Sequence, residues 1–244
     1  MSNMRRMIAK NAALLLHDGD LVNLGVGMPT LVSQFLPEGL EVVLHGENGS
    51  TGLGMELPKE GVYDSPETLK KWMEIRRGDY GDFMEGHKDL VNAGGNHTKL
   101  VPGAACFDSC MSFAMARNGR LDATVLGAME VDSHANLANW MIPGKRESGM
   151  GGAMDIVCGC KSVIITMEHC NRKGQPKIVN ECSLPLTAKA CVNHIVTELC
   201  MIDFVDGDMI VTAIAPGVTP EEVQAKTEPK LIFADDLKEM LFAD

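Results

Sequence analysis

No stretch of this 244-residue chain approaches the roughly 20 uninterrupted apolar residues that a membrane helix needs, because polar, charged or Gly residues break every run. No membrane partner is therefore expected. The start is equally short of an export signal: Arg5, Arg6 and Lys10 supply charge, but only a brief apolar run follows before the polar His17-Asp18-Gly19-Asp20 turn. Positive charge is scarce as well, with 22 basic against 33 acidic residues and a formal net charge of −11. A phosphate backbone would be repelled, which argues against nucleic acid, and any anionic ligand must be held by local devices such as backbone N–H groups. Paired C-x-x-C spacing is missing: Cys158-Gly159-Cys160, Cys106 with Cys110, and His169-Cys170 offer no set of ligands, so no metal is assigned. The eight cysteines lie in a long chain without a secretory segment, which points to reduced thiols and a cytoplasmic location. No Gly-x-Ser-x-Gly elbow, P-loop or internal repeat is present, which removes the commonest serine hydrolase and nucleotidase readings.

What is there suits one large α/β domain spanning residues 1–244, since a hydrophobic content of 45% can bury a sizeable core. Apolar spacing predicts a helix over Asn3 to Leu16, ended near Gly19, and a short strand over Leu21 to Leu24. Gly25, Gly27 and Pro29 make a turn, after which Thr30 is expected to cap a second helix to about Phe35. Leu40 to Leu44 reads as the next strand. Further strands are expected at Leu90 to Asn92, Ala123 to Leu126, Ser162 to Met167 and Met209 to Ile214. Helices are expected at Ser109 to Arg117, Ala188 to Leu199 and Pro220 to Lys226. This alternation implies a largely parallel open sheet with helices on both faces. Met55 to Lys88, polar and broken by Pro58, Gly61, Gly78, Gly81 and Gly86, reads as an inserted, exposed element with a helix from Ser65 to about Arg77.

Three places could carry chemistry. Glu47 follows a buried strand directly and sits among Gly46, Asn48, Gly49, Gly52 and Gly54, neighbours that leave a carboxylate uncovered and let a ligand approach the backbone. A plain Asn-Gly hairpin turn accounts for the same residues equally well. Gly25-Val26-Gly27-Met28-Pro29 presents N–H groups at a strand-to-helix turn, yet lacks the third glycine of a dinucleotide fingerprint. The cluster Gly144, Gly149, Gly151 and Gly152, with Lys145 and Arg146, is either a loop closing over a ligand or a surface linker.

Asn23-Leu24-Gly25-Val26-Gly27-Met28-Pro29-Thr30, Glu47-Asn48-Gly49 and Gly52-Leu53-Gly54 together resemble the B subunit of the 3-oxoacid coenzyme A transferases. The likeness continues in order through Val91-Asn92-Ala93-Gly94, Pro102-Gly103-Ala104, Ser112-Phe113-Ala114-Met115, Val125 to Met129, Leu137 to Lys145, Gly149 to Asp155 and Leu184-Pro185-Leu186-Thr187. The resemblance implies the CoA-transferase, NagB/RpiA-like fold, with Glu47 as the nucleophile that attacks the acyl-CoA. It further implies oxyanion or substrate contacts from Val26, Gly27, Gly152 and Asn23, and CoA contacts from Gly25, Asn48, Gly49 and Gly151. Coenzyme A would be a substrate, with no permanently bound cofactor. An A subunit would be the protein partner, and acyl-CoA and short-chain carboxylic acids such as acetate, butyrate, succinate or a 3-oxoacid the small-molecule ones. The chain departs from the family pattern in three ways: Gly46 where relatives usually have Ser, Gly95-Asn96 where many have Lys, and the Met55 to Lys88 insertion.

Overall fold

Two strands whose residues are buried without alternation, Ala123–Leu126 and Ser162–Thr166, mark the middle of a sheet covered on both faces. They belong to a computed structural model that describes residues 3–56, 62–63, 86–87, 89–144, 146–147 and 149–242. In chain order its principal strands are β1 (Leu21–Leu24), β2 (Val43–Gly46), β3 (Ser50–Glu56), β4 (Thr98–Cys106), β5 (Ala123–Leu126), β6 (Ser162–Thr166), β7 (His194–Val196), β8 (Cys200–Val205), β9 (Asp208–Ile214) and β10 (Ile232–Glu239). The helices are α1 (Asn3–Ala13), α2 (Ser109–Arg117), α3 (Ala153–Gly159) and α4 (Pro220–Ala225). The chain forms two compact units, Met1–Val42 with Phe113–Asp244, and Val43–Ser112.

In the larger unit the strand order is β10-β9-β8-β7-β6-β5-β1. Strands β1, β5, β6 and β7 run parallel, β8 is antiparallel to both neighbours, and β10 is parallel to β9. The expected α/β, largely parallel sheet is present. Of its parallel strands, β5 is buried throughout and β6 from Val163 onwards, whereas β9 alternates buried with partly exposed residues, as a strand with one more open face does. The core gathers Val163, Ile165, Ile195, Ile202, Val211 and Val223. Helix α1 buries Met7, Ile8 and Ala12, and α4 is capped by Thr219, whose hydroxyl accepts the Glu222 N–H.

The smaller unit is built on the antiparallel set β2-β3-β4. His45 pairs with Thr51 and Gly46 with Ser50, so residues 47–49 are the connection of a tight hairpin.

Several elements differ from the sequence expectation. Ala188 to Leu199 is not a helix: it runs irregularly into β7, which pairs with β6 through Ile164 to His194 and Ile165 to Ile195. Val192, Ile195, Val196 and Leu199 fall at i, i+3, i+4 and i+7, which imitates a helix face, but β-branched side chains beside an open parallel strand gain more from the ladder. Thr30 is not a cap. The segment Met28–Gln34 is a 3-10 helix capped by Gly27 without a side-chain bond, and Thr30 lies inside it, its hydroxyl donating to the Gly27 carbonyl at 2.9 Å. The strand expected at Leu40 to Leu44 lies further on, at β2, and carries the chain straight into Glu47. At Leu90 to Asn92 there is one isolated bridge, Val91 to His97, around a turn in which the Asn92 side chain accepts the Gly94 and Asn96 N–H groups. Gly95 holds a φ of 79° in that turn, a conformation in which lysine would be strained. The helix read at Ser65 to Arg77, and most of the Met55 to Lys88 insertion, lie outside the described residues.

Candidate active site

Strand β2 ends in buried His45 and Gly46, and the chain then turns through half-buried Glu47, exposed Asn48 and buried Gly49. The turn is closed by Gly49 N–H donating to the Gly46 carbonyl at 3.0 Å. Gly49 adopts a φ of 122°, and its own carbonyl accepts the Phe107 N–H at 2.9 Å, which ties the turn to the end of β4. Any Cβ at Gly49 would overlap the Phe107 carbonyl oxygen, so glycine is required there by both dihedral and space. Asn48 is held by its amide, which donates to the Val91 carbonyl at 2.8 Å. Glu47 is thus presented at the tip of a hairpin whose neighbours are pinned on either side.

Gly46 is pinned by side chains that the sequence did not single out. Ser112, fully buried in the first turn of α2, lies 2.8 Å from His45 Nε2 and donates to the Gly46 carbonyl at 3.3 Å. A hydroxyl has one proton, so with that donation made it accepts from the imidazole N–H. Burial holds His45 down at a pKa of about 4, which keeps the ring neutral and suited to this relay. An ideal Cβ at Gly46 would stand 2.8 Å from Asn48 Oδ1, 2.9 Å from Ser50 Oγ and 3.0 Å from Leu53 Cδ1, so the space a serine would use is filled by neighbouring side chains.

In the larger unit, β1 ends in the Gly25 to Gly27 turn. Gly25 N–H is used by the Val125 carbonyl at 2.8 Å, whereas Val26 and Gly27 are exposed and their N–H groups meet no acceptor among the described residues. Val26 shows 67% of its surface, and Gly27 takes a φ of 92°. Asn23 is buried at 1% exposure, its amide oxygen accepting the Thr124 hydroxyl at 3.3 Å. The second glycine cluster resolves into a short hairpin, Met141–Ile142 with Arg146–Glu147, followed by exposed Gly151 and buried Gly152 at the start of α3. Lys145 lies outside the described residues. The structure therefore brings together Glu47, Asn48 and Gly49 in one unit, and Asn23, Gly25, Val26 and Gly27 in the other, with Gly151 and Gly152 at the start of a helix of the larger unit.

Among the described residues no group of three His, Cys, Asp or Glu could hold a metal ion, and no helix is long and apolar enough to cross a membrane. All eight cysteines are unpaired. His169, fully buried between the Thr197 and Thr227 hydroxyls at 3.0 and 2.9 Å, is held by burial at a pKa of about 4, like His45. Both folded values lie below the ordinary 6.5, so the unfolded chain takes up protons first as pH falls. Stability is expected to be complete above pH 6.5 and to decline as pH drops towards 4, with His169 accounting for on the order of 3 kcal/mol of the loss. Urea unfolding at stepped pH measures this, and His169→Asn should flatten the decline.

A family model for coenzyme A transferase matches residues 5–68 and 84–226, passing over 69–83 inside the segment read as inserted. The beta subunit of the acetate CoA-transferase of Escherichia coli is 47% identical over 233 residues, covering 96% of this chain and 95% of that protein. The B subunit of the succinyl-CoA:3-ketoacid coenzyme A transferase of Helicobacter pylori is 43% identical over 225 residues, covering 92% and 97%. Among solved structures, an acyl-CoA transferase of Escherichia coli aligns with a TM-score of 0.71 at 20% identity, and this chain spans 100% of its own length but 45% of that one. The glutaconate coenzyme A-transferase of Acidaminococcus fermentans aligns with a TM-score of 0.67 at 17% identity, covering 100% and 90%. These two show a shared fold, and the curated relatives show more. Matched over most of its length by the family model and by the relatives from Escherichia coli and Helicobacter pylori, this chain belongs to the coenzyme A transferase family.

Proposed function

We propose that the chain supplies the nucleophile of a CoA-transferase that works with an A subunit and moves CoA between an acyl-CoA and a free short-chain carboxylic acid. The observation that carries this reading is Glu47 at the tip of a hairpin whose flanking residues are all fixed by hydrogen bonds or by space. A carboxylate, with an ordinary pKa near about 4.3, is ionised at neutral pH and needs no general base. Its attack on the thioester carbonyl expels CoA thiolate and leaves an acyl-glutamyl anhydride. The thiolate then attacks the glutamyl carbonyl, releasing the first acid and leaving a glutamyl-CoA thioester, and the same steps in reverse with a second acid complete the exchange. The thioester conserves the energy of the original bond, which an ester to serine would lose.

Each attack passes through an oxyanion, for which the N–H groups of Val26, Gly27 and Gly152 are the proposed donors, one such donor being worth roughly 3 kcal/mol. A substrate carboxylate needs donors, so the role proposed for Asn23 falls to its amide nitrogen. Gly25, Asn48 and Gly151 are the proposed surfaces along which CoA lies, and the role proposed for Gly49, buried against the Phe107 carbonyl, is to hold the turn that presents Asn48 to it. Acetate and 3-ketoacids, named for the relatives, are the first acids to test, followed by butyrate and succinate.

The test is to mix the chain and its A subunit with acyl-CoA and no acceptor acid, then digest and weigh the Glu47 peptide. A CoA adduct on Glu47, cleaved by hydroxylamine and discharged by added acid, is expected, with ping-pong kinetics in the full assay. Steady acid release without acceptor and without an adduct would instead mark a hydrolase.

A further inference from the structure

The larger unit contains a cavity of about 390 Å³ at the carboxyl ends of β1, β5 and β6, where open parallel sheets place their ligands. Val26, Met28 and Pro29 line it after β1, Gly127 and Ala128 after β5, and Thr166, Met167 and Glu168 at the end of β6. Arg5 enters from α1, and Cys170, Asn171, Arg172 and Lys177 from the loop that follows β6. In a chain of net charge −11, this cavity holds three cations against one carboxylate. That carboxylate, Glu168, is already engaged by Arg5 at 3.3 Å. Arg172 and Lys177 form no ion pair among the described residues.

Two further features point to an anion as the ligand. Thr166 is 1% exposed and its hydroxyl has no hydrogen-bond partner, a state that costs about 1–3 kcal/mol unless a ligand completes it. Lys177 is half-buried, and desolvation draws its pKa down to about 8 although Glu168 and Glu198 oppose the shift. A bound oxyanion would compensate the half-buried ammonium and, with the closed-off Thr166 hydroxyl turned towards the cavity, supply the acceptor that this hydroxyl lacks.

We infer that this cavity binds the anionic oxygens of a small carboxylate or phosphate group, through Lys177, Arg172 and the Thr166 hydroxyl. The apolar lining of Val26, Met28, Pro29 and Met167 would receive the adjoining carbon chain. The inference rests on the transferase reading only for the source of the anion: a carboxylate would belong to the acid substrate, a phosphate to CoA. Binding itself is independent of Glu47.

Limited acetylation with acetic anhydride at pH 8, read by peptide mass spectrometry on the full chain, tests it, with exposed Lys173 as the internal reference. Glutarate or adenosine 3′,5′-bisphosphate is expected to slow Lys177 acetylation at least fivefold while Lys173 is unaffected. Protection by glutarate assigns a carboxylate, and protection by the bisphosphate assigns a phosphate. The exposed substitution Arg172→Ala, which threatens folding little, should raise the half-protecting concentration about tenfold, and Thr166→Val should raise it as well. Failure of both anions to protect Lys177, or an unchanged half-protecting concentration in Arg172→Ala, overturns the site. A CoA adduct on Glu47 with no protection of Lys177 would overturn this inference alone, and the converse would overturn the transferase reading alone.

Discussion

Glu47→Gln in the enzyme reconstituted with its A subunit should lose at least about 10⁴-fold in kcat, the scale on which removal of a covalent nucleophile is felt. The carboxamide matches the carboxylate in size and keeps an accepting oxygen, and the turn that carries it is closed by backbone bonds and by Asn48. Folding and CoA-thioester binding should therefore survive, and the KM for the thioester should move far less than kcat. The adduct mass on the Glu47 peptide should vanish in the variant. Exchange at an undiminished rate would place the nucleophile elsewhere.

The largest effect on stability is expected from Gly49→Ala. The φ of 122° is unfavourable for any L side chain, and the new Cβ would press on a backbone carbonyl, that of Phe107, which has no rotamer to yield with. Relief requires moving the hairpin away from the end of β4 and giving up the Phe107 N–H bond to the Gly49 carbonyl. Strain and lost bond together should cost on the order of 3–5 kcal/mol and lower Tm by roughly 10 °C. Gly46→Ala is the informative comparison: its new Cβ meets only the ends of the Asn48, Ser50 and Leu53 side chains, which can shift, so a loss nearer about 1 kcal/mol is expected. Equal unfolding midpoints for the two variants would mean that the turn does not depend on that close approach.

Elements set by local pattern were legible in the sequence. Strands β1 and β5 and helix α2 fall where apolar spacing and flanking turn residues put them, because a buried parallel strand must be a run of apolar or small residues and an exposed turn needs glycine or asparagine. Segments for which helix and strand patterns coincide were not legible. Val192, Ile195, Val196 and Leu199 satisfy a helical stripe, and only the vacant edge of β6 decides for a strand. Gly49 was visible as half of an Asn-Gly turn, but its reason for being glycine, the Phe107 carbonyl 58 positions later in the chain, was not.

The turn that carries Glu47 was readable because its glycine-rich neighbours are adjacent in the chain. The groups that hold it there are not adjacent: Ser112 reaches back 67 residues to His45, and no spacing rule links them. The same holds for Arg5, Thr166, Arg172 and Lys177, which come from a helix, a strand end and a loop, and which share a cavity only because β1, β5 and β6 run parallel and end side by side. By itself the sequence determined the α/β pattern, the excess of negative charge, and the glycine-rich turn in which Glu47 sits, since these follow from local sterics and composition. The tertiary structure alone decided which distant side chains neutralise one another, which backbone atoms press on Gly49, and where cations gather in an acidic protein, because those depend on three-dimensional distances that chain separation does not encode.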